Sequence, residues 1–137
     1  MGDNGAIVTS KDEITWTMAT SAPSSANLYG ITYTSAGNWV AVGSSGTILT
    51  SSDGLTWTTQ KSGSTADLKG VGSITSLTNN LTSHQFIVVG ANGTILSSPD
   101  AITWTAQSAN TKANFNALAS TNQFLAVGSG GTVVTSL

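Results

Sequence analysis

Three aspartates stand in the same seven-residue pattern, Ser-x-Asp-x-x-Thr-Trp, and are the first candidates for chemistry. Its members in the three copies are Ser10, Asp12, Thr15, Trp16, Ser51, Asp53, Thr56, Trp57, Ser98, Asp100, Thr103 and Trp104. The pattern repeats a single carboxylate, whereas glycoside hydrolysis needs a facing pair and calcium needs several oxygen ligands. We therefore expect no catalytic residue and no metal site in these segments.

The same residue types suit a structural use. An aspartate in a turn accepts hydrogen bonds from backbone amides a few residues further on, and a threonine can close the turn from the other side. The tryptophan that follows can bury its large ring between sheets. We expect all three copies to be structural turns, with stacking of a ligand on the tryptophans as the alternative.

Few other side chains offer chemistry. His84 is the only histidine, and the chain has no cysteine, so it lacks the nitrogen and sulfur ligands of a transition-metal site. Asp3, Glu13 and Asp67 form no evident pair of carboxylates. We expect no enzyme activity and no cofactor, and we place His84 in a solvated loop.

Two aromatic residues and an amide precede the second copy and are candidates for sugar binding: Tyr29, Tyr33 and Asn38. Aromatic rings stack on sugars and amides bond their hydroxyl groups. A site that belongs to the repeat should recur in it, yet Lys69 and Ser73 occupy the positions of the two tyrosines in the next unit. Glycan binding is therefore an alternative hypothesis and not the favoured one.

The three patterns belong to a longer repeat. Their tryptophans lie 41 and 47 residues apart, and each unit holds four short β runs, which is the size of a propeller blade. We predict an all-β chain with one β-propeller domain, 1–137, built of four-stranded antiparallel blades. The expected blades are listed in chain order: a partial blade 2–19, complete blades 28–60 and 68–107, and a partial blade 115–137. A β-sandwich is the alternative, but it has no reason to repeat at a fixed period.

Small residues predict which strand of each unit is the most crowded. Gly30, Gly70 and Ala117 fall at the third position of the first β run in successive units. Strands at the axis of a propeller leave little room for side chains. We therefore expect the first strand to be the innermost one.

The pattern is similar to the Asp-box, S-x-D-x-G-x-T-W, of BNR-like repeats in sialidase-type propellers and in the photosystem II stability and assembly factor family. Each copy here is one residue shorter between the aspartate and the tryptophan. The resemblance implies propeller blades. Sialidases bind the substrate carboxylate through three arginines, and this chain has none, which argues against that activity. The second family holds partner proteins, so an assembly factor is a further hypothesis.

Composition excludes other classes of function. Four lysines, no arginine and a formal net charge of −2 provide no basic face for nucleic acid. No apolar run reaches the roughly 20 residues that cross a bilayer, and the first residues lack the features of a secretory signal. We expect a soluble chain with no membrane partner, in a virion or in an extracellular setting, although composition leaves the location open.

The strand count predicts an assembly. The chain opens with the last two strands of a unit and closes with the first three, which makes three blades with one strand to spare, either 6–10 or 132–136. Propellers need four to eight blades, so we predict that two chains join head to tail into a six-bladed ring or that the chain docks onto another protein. The favoured function is a non-catalytic structural and protein-interaction module, such as a subunit of a phage virion or surface structure. A carbohydrate-binding lectin is the alternative.

Overall fold

Runs of Val, Ile, Leu and Thr, broken by paired Asn, Ser and Gly residues, favour short strands joined by tight turns. A computed structural model describes residues 2–19, 24–34, 37–78 and 81–136. Met1 and Leu137, the ends of the expected domain, lie outside these residues. The described part contains antiparallel sheets and short 3-10 turns but no α-helix. The prediction of an all-β chain with antiparallel sheets is confirmed.

Four sheets follow one another along the chain, and each is an up-and-down series of sequence neighbours. The first two sheets contain, in order, β1 (Val8–Thr9) and β2 (Thr17–Met18), then β3 (Leu28–Tyr33), β4 (Trp39–Gly43), β5 (Ile48–Ser51) and β6 (Thr58–Gln60). The last two contain β7 (Leu68–Thr78), β8 (Leu81–Gly90), β9 (Ile95–Ser98) and β10 (Thr105–Gln107), then β11 (Phe115–Ser120), β12 (Phe124–Gly128) and β13 (Val133–Thr135). The two middle sheets therefore have four strands each.

A two-residue turn with left-handed backbone joins the second and third strands of a sheet. In the second sheet the Thr47 N–H donates to the Ser44 carbonyl at 3.1 Å, and the central residues Ser45 and Gly46 have φ of 54° and 72°. Positive φ at both central positions is the requirement of a type I′ turn, which favours Asn and Gly. The same geometry recurs at Asn4-Gly5, Asn92-Gly93 and Gly130-Gly131.

The first strands of successive sheets lie side by side. A Cβ atom on Gly30 of β3 would lie 3.1 Å from the Lys69 carbonyl oxygen of β7. One on Gly70 would lie 3.0 Å from the Leu118 backbone nitrogen of β11. Glycine is needed at both positions because any side chain would separate the strands. This close approach agrees with the crowding predicted for the first strands.

The hydrophobic core is divided into layers between successive sheets. Ile7, which precedes β1, packs with Leu49 and Trp57 of the second sheet. On the opposite face of that sheet, Val40 joins a cluster with Val88 of the third sheet. A further cluster, with Val89, Phe115 and Ala126, joins the third sheet to the last. The middle sheets therefore bury both faces, which explains the nearly continuous apolar sequence of β4 and of residues 86–89 in β8.

The insertion between the first two strands of the third sheet is a hairpin. β7 and β8 pair without interruption from Gly70↔Val89 to Thr78↔Leu81. His84 lies opposite Thr75, with its Nδ1 atom 3.1 Å from the threonine Oγ1 atom. The loop expected around His84 is therefore wrong, because the β-branched and polar residues of this segment extend the ladder instead.

Candidate functional site

Each Ser-x-Asp-x-x-Thr-Trp segment forms a turn closed by its aspartate. The Oδ1 atom of Asp53 accepts hydrogen bonds from the backbone N–H groups of Thr56 at 2.7 Å and Leu55 at 2.8 Å. It also accepts one from the Ser51 hydroxyl at 3.0 Å. The serine Oγ atom in turn accepts from the Gly54 N–H at 2.9 Å. One carboxylate oxygen and one serine hydroxyl thus hold the connection from β5 to β6.

The other two copies repeat this geometry. Asp12 accepts from the N–H of Thr15 at 2.7 Å, and Asp100 accepts from the N–H of Thr103 at 2.7 Å. Ser10 and Ser98 donate to the same oxygens at 3.0 and 2.9 Å. The three turns are therefore closed by the same hydrogen bonds.

These bonds also determine the charge state of the aspartates. The N–H groups of Thr56 and Leu55 lower the pKa of Asp53 to about 2, because they stabilise the ionised form. The N–H of Thr15 lowers the pKa of Asp12 most, and that of Thr103 lowers the pKa of Asp100 most. The three carboxylates are therefore ionised at neutral pH and engaged by the turn, which does not suit a general acid.

The residue after each aspartate has left-handed backbone. Gly54 has φ of 73°, and the equivalent residues Glu13 and Ala101 have φ of 63° and 62°. Glycine adopts this conformation readily, whereas a residue with a Cβ atom is strained in it. The shortened pattern thus requires its left-handed residue directly after the aspartate, and only the second copy has glycine there.

The three tryptophans differ in burial. Trp57 is 3 % exposed, and its Nε1 atom donates to the Gly54 carbonyl at 3.2 Å. Trp104 is half-buried against the cluster between the second and third sheets and donates to the Ala101 carbonyl. Trp16, which was expected to be buried in the same way, is 62 % exposed. The reason is that Trp16 borders an open cavity and is not enclosed in a packed junction between two sheets.

The first and last sheets each expose an apolar face. In the first sheet the exposed residues are Val8, Trp16 and Met18, which we call the first-sheet face. In the last sheet they are Leu125, Val127 and Val133, which we call the last-sheet face. The last-sheet face was not predicted from the sequence. The signal for it was its equivalence in the repeat to Val40, Val42 and Ile48, which are fully buried against the third sheet.

An open cavity of about 280 Å³ lies between the first and second sheets. Trp16 and Val8 line one side of it, and Ile31, Trp39 and Trp57 line the other. Its polar groups come from Thr9, Ser10 and Glu13. The cavity is therefore aromatic with a polar edge.

A second cavity, of about 190 Å³, lies between the third and last sheets. The third sheet contributes Ile87, Val89 and Ile95, which are the repeat equivalents of Val40, Val42 and Ile48. The last sheet contributes Leu118, Phe124, Ala126 and Val134. At the preceding junction Trp104 packs against the equivalent surface, so this cavity lies where the last sheet would place a tryptophan.

The three candidate sugar-binding residues do not form one site. The Lys69 ammonium lies 3.4 Å from the centre of the Tyr29 ring, a cation–π contact. The Tyr33 ring packs on Trp39 with centroids 4.6 Å apart. Asn38 lines a separate polar groove with Thr50 and Gln60. Each of the three side chains therefore makes its contacts in a different part of the structure.

Comparison of the chain with protein-family models, with curated proteins and with solved structures found no match. Among the described residues, no group of three or more histidine and acidic side chains could hold a metal ion. Within the same residues, no helix is long and apolar enough to cross a membrane. The exposed sheet faces and the two cavities are the surfaces of the described residues on which another molecule could bind.

Proposed function

We propose that the chain is a non-catalytic structural and protein-interaction module, an arc of propeller blades that forms part of a larger assembly. The observation that carries this proposal is the last-sheet face. Leu125, Val127 and Val133 are exposed, whereas the residues at the same positions of the second sheet are fully buried by the sheet that follows. Both faces of the middle sheets are covered, whereas no sheet in the described part of the chain covers this face of the last one.

The packing of the sheets supports the propeller architecture. Two four-stranded antiparallel sheets and two partial ones follow one another in chain order, with an apolar layer at every junction. The first strands β3, β7 and β11 adjoin one another, as the inner strands of blades do around an axis. About three blades per chain is too few for a ring, and two chains supply six.

The exposed area also supports assembly. The chain exposes 7705 Å², whereas a compact monomer of 13.8 kDa exposes about 6,600 Å². The chain therefore leaves about 1,100 Å² more surface open than a compact monomer of its size. Apolar patches of this kind mark sites of protein association.

The setting of the assembly is proposed from composition. Only 7 % of the residues are charged, and serine, threonine and glycine dominate the polar positions. Modules of this composition occur in phage particles and in surface structures, so we place the chain as a subunit of such a structure. Purification of the native particle with an antibody against the chain would identify the other subunits.

Substitution of the last-sheet face tests the proposal. Val127→Glu places a charge on this face, and we expect it to reduce the sedimenting mass to the 13.8 kDa monomer while the circular dichroism spectrum is retained. Thr59→Glu is the control, because Thr59 is exposed on β6 of a complete sheet. The proposal is wrong if the unmodified chain is monomeric up to its solubility limit and binds no subunit of the particle, or if Val127→Glu assembles normally.

Carbohydrate binding is the second candidate function, favoured by the aromatic cavity between the first and second sheets. Trp16 and Trp39 offer ring faces, and Ser10 and Glu13 offer hydrogen-bonding groups at the edge. A glycan array probed with the assembled protein tests it. Binding that is lost in Trp39→Ala and retained in Asn38→Ala would favour this function, and an array without binding would exclude it for the sugars present.

A further inference from the structure

We propose that the 190 Å³ cavity between the third and last sheets is a socket for Trp16 of a second copy of this chain. In this arrangement the β1–β2 hairpin of the second copy takes the place of β13 beside β12. This assignment rests on the proposed function, because it names the partner and the contacts of that assembly. The part of the cavity that remains is lined by Ile87, Val89, Ile95, Leu118, Phe124 and Ala126. Val134 of β13 also lines the cavity, and Val8 of the second copy would take its place.

The socket is an internal junction of the repeat without its tryptophan. Trp104 packs against the cluster that contains Val40, Val42 and Ile48 of the sheet before it. Ile87, Val89 and Ile95 form the same surface one sheet later and line the cavity instead. The junction between the second and third sheets thus shows how a tryptophan packs on this surface. At the junction between the third and last sheets the equivalent surface is open.

Trp16 is the equivalent of Trp57 and Trp104, but it does not pack in a junction between two sheets. It holds the same position in its turn as Trp57 and Trp104, and Asp12 closes that turn with the same hydrogen bonds. Trp57 is 3 % exposed and Trp16 is 62 % exposed. A docked partner that supplied the junction surface would bury Trp16 as the other junctions bury their tryptophans.

β1 of a second copy can replace β13, because the two strands have nearly the same sequence. Residues 5–10 read GAIVTS and residues 131–136 read GTVVTS, so β1 and β13 present nearly the same side chains. β12 pairs with β13 through Leu125↔Thr135 and Val127↔Val133. Thr9 and Ile7 of a second copy can form the same two pairs. The exchange preserves the ladder and adds β2, the Asp12 turn and Trp16 to the last sheet.

The hairpin can be donated without loss of its own contacts. Ile7 is buried with Leu28 and Leu49 of the second sheet, and the Gly5 N–H donates to the Ala26 carbonyl at 2.8 Å. These contacts lie on the side of the hairpin that faces its own chain. The edge of β1 opposite β2 is unpaired in the described sheet, and this is the edge that β12 of another copy would join.

The same docking covers the other exposed surfaces. Once β12 lies beside β1 of the partner, Leu125 and Val127 of the last-sheet face lie over the partner's second sheet, as Val40 and Val42 lie over the third sheet. That position is the aromatic cavity lined by Ile31 and Trp39. Two chains joined in this way supply six blades, within the four to eight of propellers.

Disulfide trapping between two single-cysteine variants tests the register. The chain has no cysteine, so Thr9→Cys and Leu125→Cys introduce the only thiols. Opposed Cα atoms in an antiparallel pair lie about 4.5–5.5 Å apart, within the range that a disulfide spans. The two variants are mixed, unfolded, refolded together and oxidised. We expect a covalent heterodimer from this mixture and none from Leu125→Cys mixed with Thr58→Cys, a control on β6. Equal yields from both mixtures would overturn the register.

Substitution of Trp16 tests whether its side chain fills the socket. Trp16→Ala should weaken self-association roughly 30-fold or more, the effect of a central anchor in an interface. Ile14→Ala is the control, because Ile14 is 84 % exposed in the same turn and has no counterpart in a socket. We expect this control to change the association constant less than about threefold. In the unmodified chain, tryptophan emission should shift to shorter wavelength with assembly, and Trp16→Phe should abolish that shift.

The outcomes separate this inference from the proposed function. If the chain assembles, Val127→Glu disrupts the assembly, but Trp16→Ala has no effect and the Thr9–Leu125 disulfide does not form, the socket is wrong and the proposed function stands. If the chain is monomeric alone and assembles only with a different protein, the second copy is the wrong occupant and the interaction module stands. If it assembles with neither, both are wrong.

Discussion

Trp16 and Trp57 occupy the same position in successive repeats, yet Trp57 lies between two sheets and Trp16 faces solvent. Trp57→Ala should therefore reduce the free energy of unfolding by about 3–5 kcal/mol, because it leaves a large cavity in the core. Trp16→Ala should reduce it by less than about 1 kcal/mol in a monomer. Urea unfolding of both variants in a Val127→Glu background, which removes the contribution of assembly, measures the difference. Equal losses of unfolding free energy would contradict the difference in burial between the two tryptophans.

Glu13 carries strain that Gly54 avoids at the equivalent position. Both have left-handed backbone, which costs a residue with a Cβ atom about 1–2 kcal/mol. Glu13→Gly should stabilise the chain by about 0.5–1 kcal/mol. This gain is smaller than the strain that is relieved, because glycine also gains freedom in the unfolded state. Gly54→Ala should destabilise it, although a Cβ atom there meets only ordinary contacts. Thermal unfolding measures both, and a stabilising Gly54→Ala would show that the turn does not require this backbone.

Acid should weaken the fold through the aspartate turns. The pKa of Asp53 is about 2 in the folded chain and about 3.9 in an unfolded one, so the unfolded chain binds protons more readily. Its contribution to stability is complete above about pH 4 and is lost as the pH falls through 2. Asp53→Asn should lower the melting temperature at pH 6 and flatten its dependence between pH 4 and pH 2. Parallel melting curves for the two proteins over that interval would refute this assignment.

Gly70 should tolerate no side chain. A Cβ atom there would lie 3.0 Å from the Leu118 backbone nitrogen, so Gly70→Ala should reduce the free energy of unfolding by about 1–3 kcal/mol. Gly2→Ala is the matched control, since a Cβ atom on Gly2 has no neighbour within 4 Å and its backbone is extended. Urea unfolding should leave the control within about 0.5 kcal/mol of the parent. A Gly70→Ala protein as stable as the parent would mean that β7 and β11 do not lie so close.

Local chemistry was predictable from the sequence. The Asp53 turn depends on residues within a few positions of one another, so the spacing of Ser51, Asp53 and Thr56 was enough to predict its hydrogen bonds. The crowding at Gly70 was predictable because a small residue recurs at one position of the repeat.

Burial at the ends of the chain was not predictable in the same way. The sequence of the first pattern resembles the second closely, but the exposure of Trp16 depends on whether another sheet packs on it. Leu125 and Val127 read like any buried strand for the same reason. His84 was placed in a loop because the insertion breaks the repeat, and the β-branched residues within the insertion, which favour strands, were the signal for a hairpin.

An experimental structure of the assembled protein tests the central claim most directly. We expect six sheets from two chains around one axis, with β3, β7 and β11 innermost and Trp16 of each copy in the socket of the other. A closed ring made by a single chain, or two sheets stacked as a sandwich, would contradict the account.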